Sequence, residues 1–246
     1  MKSFSMTDTG ILRDMNQDYF FASDTPVGNL PNLYIVADGM GGHKAGEYAS
    51  RYTIERVVAS VSRSPGDEPV AILKEAIRKA NELLIMESRE DESKHGMGTT
   101  IVAATVYDSH MYVANVGDSR LYVISKDIHQ ITKDHSLVEE MVRMGEMDES
   151  QARLHPDKNI ITRAIGVTDV VEPDFFEVDF EPGDMALLCS DGLTNMVENT
   201  QIRNVVLEST TLESKVSTLI NMANRNGGRD NITVILIKPF SDEVKK

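Results

Sequence analysis

Five aspartates share one kind of local setting, at or near the end of a strand-like run and beside a glycine or a turn. Asp18 lies in Arg13-Asp14-Met15-Asn16-Gln17-Asp18, and Asp38 in Asp38-Gly39-Met40-Gly41-Gly42-His43. Asp118 lies in Gly117-Asp118-Ser119-Arg120, Asp191 in Ser190-Asp191-Gly192, and Asp230 in Arg229-Asp230-Asn231. Taken singly, each reads as an ordinary turn aspartate. Taken together they pose a charge problem, because carboxylates brought to one point repel by several kcal/mol. Either the five are scattered over the fold, or cations hold them together. Carboxylate, carbonyl and water oxygens are hard ligands, which select Mg²⁺ or Mn²⁺ over zinc. The glycines beside Asp38 lack a Cβ, so the backbone there can approach an ion or a substrate closely.

The elements that would position these residues follow from hydrophobic periodicity. Asn32 to Ala37 is an apolar run that ends in the Asp38-Gly39 turn, as a strand does. Tyr52, Val57, Val58 and Val61 recur at helical spacing, and Leu73, Ala76, Ile77, Ala80, Leu83 and Leu84 form a clearer stripe of the same period. A loop around Ser64-Pro65-Gly66-Asp67 joins these two helices. Short β-branched or aromatic runs follow at Thr100 to Tyr107, Met111 to Val116 and Leu121 to Ser125, with turns at Asp108-Ser109 and Gly117-Asp118. Connections that short make antiparallel neighbours, since a parallel pair needs a crossover. Met185 to Cys189 and Asn231 to Ile237 read as central strands, and between them Ile202 to Leu207 and Val216 to Ala223 read as a second pair of helices. The order predicts an α+β fold in which antiparallel sheets are covered by helices on both sides.

Composition narrows the function. The chain has 246 residues, 41% hydrophobic and 26% charged, which suits a soluble globular protein with a core of its own. No linker, repeat or low-complexity tract divides it, so a single domain is expected over 1–240, followed by a short charged tail at 241–246. The formal charge of −14 repels nucleic acid and anionic membranes, and neither is expected as a partner. No run approaches the roughly 18 consecutive apolar residues of a membrane span, and the start shows no signal peptide. A lone cysteine, Cys189, excludes an internal disulfide and a cysteine-rich zinc site. These features point to the cytoplasm.

The ordered set RDMNQD, DGMGGH, GMGTT, GDSR, DHS, SDGLTN and GGRDNIT resembles the PPM family, the type 2C protein phosphatases, and in particular its compact bacterial members. The resemblance runs from about Asp8 to Ile237. It implies a β-sandwich of two antiparallel sheets flanked on both sides by pairs of helices, in α-β-β-α layers, with metals in a cleft at one end. It also implies a serine/threonine phosphatase that uses two tightly bound Mn²⁺ or Mg²⁺ ions and a third, weaker one. By that likeness Asp38 bridges two cations, the carbonyl of Gly39 ligates one of them, and Asp191 and Asp230 complete the ligands of the other. Asp18 holds metal-bound water, Asp118 with Asp191 binds the third cation, and Arg13 grips the substrate phosphate. The attacking group is a hydroxide between the two ions, and phosphorylated proteins are the substrates. A monomer opposing a bacterial Ser/Thr kinase is the expected setting.

One position departs from the animal pattern DGHGG, whose histidine is the proposed general acid. Met40 stands there, and a thioether cannot donate a proton. His43 is nearby in sequence, but a metal-bound water is the favoured donor. Cys189 sits in an apolar run and reads as a core thiol rather than a nucleophile. The glycines of DGMGGH lack the Lys-Ser/Thr ending of a P-loop. Thr99 and Thr100 are expected to serve strand structure near the site, and Met141, Met144 and Met147 to pack a helix and loop. The weakly periodic segment 144–166 matches in position the flap of bacterial members and is expected to control substrate access. Two other classes stay open: a non-catalytic regulatory protein of this fold, and a calcium-binding protein. The intact aspartates weigh against the first, and the absence of an EF-hand-like loop against the second.

Overall fold

The computed structural model describes residues 1–42, 44–148, 151–152 and 155–239. His43, parts of the flap and the 241–246 tail therefore lie outside the described residues.

Two antiparallel sheets form the centre. The first runs in the order β1 (Lys2–Asp8), β11 (Ile232–Lys238), β10 (Met185–Cys189), β7 (Arg120–Ile124) and β8 (Ile128–Gln130). The second runs β2 (Asp18–Ser23), β3 (Leu33–Met40), β5 (Ile101–Tyr107), β6 (His110–Val116) and β9 (Asp174–Asp179), with the short β4 (Gly98–Thr99) paired to the end of β3. Side chains alternate across each strand. In β3, Tyr34 and Val36 face the other sheet with Val102, Val113, Leu188 and Ile235, whereas Ile35 and Ala37 face the helices with Ala103 and Ala114. Because both faces are covered, the central strands are apolar throughout rather than alternating.

Helices α1 (Ala45–Ser62) and α2 (Pro69–Glu90) cover the second sheet, burying Ile54, Val57, Leu73, Ile77 and Leu84. Pro69 opens α2 at a position whose N–H has no intrahelical partner, so nothing is lost. On the far side lie α4 (Asp191–Thr194), α5 (Asn199–Leu207) and α6 (Leu212–Arg225). A capping box between Glu198 and Gln201 starts α5, and the Thr211 hydroxyl accepts from the Ser214 N–H to start α6. Val206 of α5 and Leu219 of α6 are buried with Leu187, Cys189 and Leu236 of the sheet beneath. A further helix, α3 (Leu137–Arg143), leads towards the flap. No helix among the described residues is long and apolar enough to cross a membrane.

The layers are those expected, with several differences in detail. Strand β3 runs on through Asp38 and Gly39 to Met40, because β4 supplies partners at Gly39↔Thr99 and Met40↔Gly98. The run expected to start at Thr100 starts at Ile101 as β5, and Thr100 lies between β5 and the short β4, bonded to Asp38 through its side chain as well as its backbone. Leu83, placed in the buried stripe of α2, is 38% exposed at its edge, and Met144, expected to pack, is 66% exposed. Strands β1, β2, β8 and β9 and helices α3 and α4 add to the elements read from periodicity.

Candidate active site

The topology brings the five aspartates to one end of the sandwich. Asp18 opens β2 and Asp38 lies near the end of β3, directly opposite it in the register. Asp191 follows β10 as the first residue of α4, and Asp230 precedes β11, the neighbour of β10. Strands β6 and β7 belong to different sheets, so the Gly117-Asp118 turn crosses between the layers at that same end.

Polar groups fix Asp18, Asp38, Asp191 and Asp230 through the carboxylate or the backbone. The Asp18 Oδ2 accepts from the Ser190 hydroxyl at 2.6 Å, and that hydroxyl accepts from the Thr233 N–H at 3.0 Å. The Asp38 N–H donates to Thr100 Oγ1 at 2.9 Å, while its carbonyl accepts from Thr99 Oγ1 at 2.8 Å. The two threonines thus hold the backbone of Asp38, as expected of them. Asp191 Oδ2 accepts from Asn195 Nδ2 at 2.8 Å, and Asn195 Oδ1 accepts from Lys158 Nζ at 3.0 Å, which ties the flap to the site. Asp230 Oδ1 accepts from the Asn231 N–H, and its Oδ2 from an Arg13 guanidinium nitrogen at 2.8 Å. Gly39 is buried, its N–H donates to the Gln17 carbonyl, and a Cβ there would overlap the Gly46 carbonyl. Only glycine lets these backbones pass so closely.

The clustered charge shows in the acidities. Burial, then the charges of Asp18, Asp191, Asp118 and Asp230, hold the Asp38 carboxyl well above the ordinary range. Asp118 is raised by burial and by Asp191. Burial pushes Asp18 up to about 7 against the opposing Ser190 hydrogen bond, and burial with the Asp230 charge pushes Asp191 up to about 6. Arg120 is the cation that relieves Asp118 and Asp191, and Asp134 anchors it with contacts of 3.0 and 2.7 Å.

Three buried carboxylate oxygens, Asp18 Oδ1, Asp118 Oδ1 and Asp191 Oδ1, have no hydrogen-bond partner among the described residues. A buried polar atom without a partner is costly. Orphaned hard oxygens within a like-charged cluster fit divalent cations. Among the described residues, no three acidic, histidine or cysteine side chains close around a single point. Hard cations accept backbone carbonyls and water to complete such a set.

Arg13 sits at the rim, its side chain 48% exposed and engaged with Asp230. Met40 lies against Gly98 next to Val167. The flap returns to the site through bridges of Ile161 to Ser136 and Ile165 to Thr99. Cys189 is fully buried and its thiol is pushed up to about 12, which leaves no thiolate nucleophile. Sequence reasoning assigned no role to Ser190, Asn195, Lys158 or Asn231. Ser190 and Asn231 stand beside a candidate ligand inside quoted motifs and Asn195 four residues after one, and that placement is the available signal.

A cleft of this kind at the end of a double-sheet sandwich defines a metal-dependent hydrolase. The pattern of the family described as Protein phosphatase 2C matches residues 4–232, and the chain belongs to that family. The chain is 41% identical over 240 residues to the serine/threonine phosphatase stp of Listeria monocytogenes serotype 4b (strain F2365), covering 94% of this chain and 93% of that one. The crystal structure of the serine/threonine phosphatase Stp1 from Staphylococcus aureus superposes with a TM-score of 0.91 at 36% identity, covering 98% of this chain and 95% of that one. The catalytic domain of the serine threonine protein phosphatase PstP, solved in complex with 2 manganese ions, gives a TM-score of 0.84 at 31% identity and covers 96% of each chain.

Proposed function

We propose that this chain is a serine/threonine protein phosphatase that hydrolyses phosphoserine and phosphothreonine in proteins by direct attack of water, without a phosphoenzyme. The observation that carries the reading is the gathering of five aspartates at one end of the sandwich, three of them with a buried oxygen that has no hydrogen-bond partner among the described residues. Asp38, the Gly39 carbonyl, Asp191 and Asp230 would hold two cations, Mn²⁺ or Mg²⁺, and Asp118 with Asp191 would hold a third more weakly. Bound divalent cations supply Lewis-acid activation of water and offset the charge of the phosphoryl oxygens.

The chain's own groups do the rest. Asp18, held by Ser190, would keep metal-bound water in place. Arg13 receives the phosphate with a planar fork that a lysine lacks. Its ion pair with Asp230 is half exposed, and such pairs are worth only about 0–1 kcal/mol, so the arginine is released to substrate at little cost. Lys158, through Asn195, sets the position of Asp191 Oδ2. The flap at 144–166 governs access, and residues 1–240 act as one domain. A cytoplasmic monomer opposing a Ser/Thr kinase completes the reading.

The test is metal binding and turnover in Asp38→Asn, Asp191→Asn and Asp230→Asn. Each variant should lower kcat by orders of magnitude and weaken Mn²⁺ binding in calorimetric titration. Near wild-type turnover at saturating Mn²⁺ removes that residue from the site. Asp118→Ala should keep the two tight ions and lose more activity on a phosphopeptide than on an aryl phosphate, whose leaving group needs little protonation.

A further inference from the structure

The loop that presents Arg13 carries two large aliphatic side chains out into solvent: Ile11 is 63% exposed and Leu12 68%. Single exposed apolar residues are ordinary on protein surfaces. These two are consecutive, and the backbone beneath them is fixed. The N–H groups of Ile11 and Leu12 both donate to the Gly228 carbonyl, at 2.8 and 3.0 Å. On either side of them, Asn231 Nδ2 donates to the carbonyls of Thr9 and Met15, at 2.8 and 2.9 Å. Gly10 takes a φ of +79° and packs where a Cβ would overlap the Asp230 carbonyl, while Ile11 Cγ1 lies beside Gly228. The turn that bears Asp230 therefore also fixes the outward direction of Ile11 and Leu12.

We propose that Ile11 and Leu12 form an apolar lip that receives an aliphatic or aromatic side chain flanking the phosphorylated residue of the substrate, and so make the enzyme selective for such sequences. This deepens the phosphatase reading above and rests on it. A polypeptide whose phosphate is engaged by Arg13 lays its neighbouring residues across the surface next to that arginine, and the adjoining surface is this lip. Residues of an extended peptide are spaced by about 3.3 Å, so a side chain one or two positions away reaches it. Removing Ile11 and Leu12 from water favours an apolar flank in proportion to the area covered.

The experiment compares wild type with an Ile11→Ser/Leu12→Ser double variant on three substrates. These are an aryl phosphate, a phosphothreonine peptide with leucine or phenylalanine flanks, and the same peptide with serine flanks. Wild type should prefer the apolar peptide by about five- to tenfold in kcat/KM. The double variant should lose that preference yet turn over the aryl phosphate within about twofold of wild type. Equal use of both peptides by wild type, or a preference that survives in the variant, would overturn the lip. Fluorescence anisotropy of the labelled peptides carries the same comparison without turnover. Absence of aryl phosphate hydrolysis would thus sink the phosphatase reading, while the lip is still judged by binding preference. A wild-type dimer that the double variant renders monomeric would overturn the proposal in favour of a second copy of this chain.

Discussion

Arg13 and Asp230 show how one side chain serves two states. Without substrate the guanidinium rests on Asp230 Oδ2 at 2.8 Å and its Nε donates to the Arg229 carbonyl. In the proposed reading a substrate dianion would compete with this carboxylate oxygen for the guanidinium. Arg13→Ala should raise KM for phosphopeptides with a smaller loss in kcat, and Arg13→Lys should recover only part of that, because an ammonium cannot make the paired contact. Steady-state kinetics on both variants decide it; a pure kcat effect would move Arg13 to transition-state stabilisation. The five carboxylates were legible because each stands in a short motif with its own turn chemistry. Ser190, Asn195 and Lys158 were not assigned roles, because what they do depends on which carboxylate each meets in the folded chain. Lys158 meets Asn195 across 37 positions, a pairing no local pattern encodes.

At the scale of elements, one amide holds the loop between β1 and β2. Asn231 Oδ1 accepts from the Gln17 N–H while its Nδ2 donates to the carbonyls of Thr9 and Met15, so the segment that presents Arg13 is stapled at both ends. Removing one buried partner costs about 1–3 kcal/mol. Asn231→Ala should therefore destabilise the protein by roughly that amount or more and speed amide hydrogen exchange across residues 9–17 ahead of β1. Unchanged exchange there would show the loop to be held by other contacts. The same distance dependence explains which strands the sequence disclosed. Met185–Cys189 was found residue for residue, since a central strand buried on both faces is a plain apolar run. Strand β9 is partly exposed along its length and pairs with β6 only after the chain has travelled through the flap, and β1 finds its register against β11 from the far end of the sequence. Their pattern is mixed and their partners are remote, so periodicity did not reveal them.

At the scale of the whole molecule, stability and function pull on the same carboxylates. The raised Asp38 pKa means that the folded, metal-free protein disfavours the charged form of that group. In chelator near neutral pH, Asp38→Asn should therefore raise Tm, while Mn²⁺ should raise Tm in wild type and much less in the variant. An ion at a hundred times its Kd adds about 2.7 kcal/mol, which for a chain of this length corresponds to about 5–10 °C. Thermal melts with Mn²⁺ and with chelator test this. A wild-type Tm indifferent to Mn²⁺ would separate ion binding from the folded cleft.

Strand β11 lies between β1 and β10, and Asp230 stands at its threshold. During synthesis, the first strand to leave the ribosome waits for the last before it has a neighbour in its sheet. The cleft lacks one of its five carboxylates until that strand arrives. A polypeptide interrupted before this point would carry most of the fold's elements but neither Asp230 nor the partner strand of β1. With Asp230 in the role proposed above, abandoned translation would yield fragments unable to strip phosphate from other proteins.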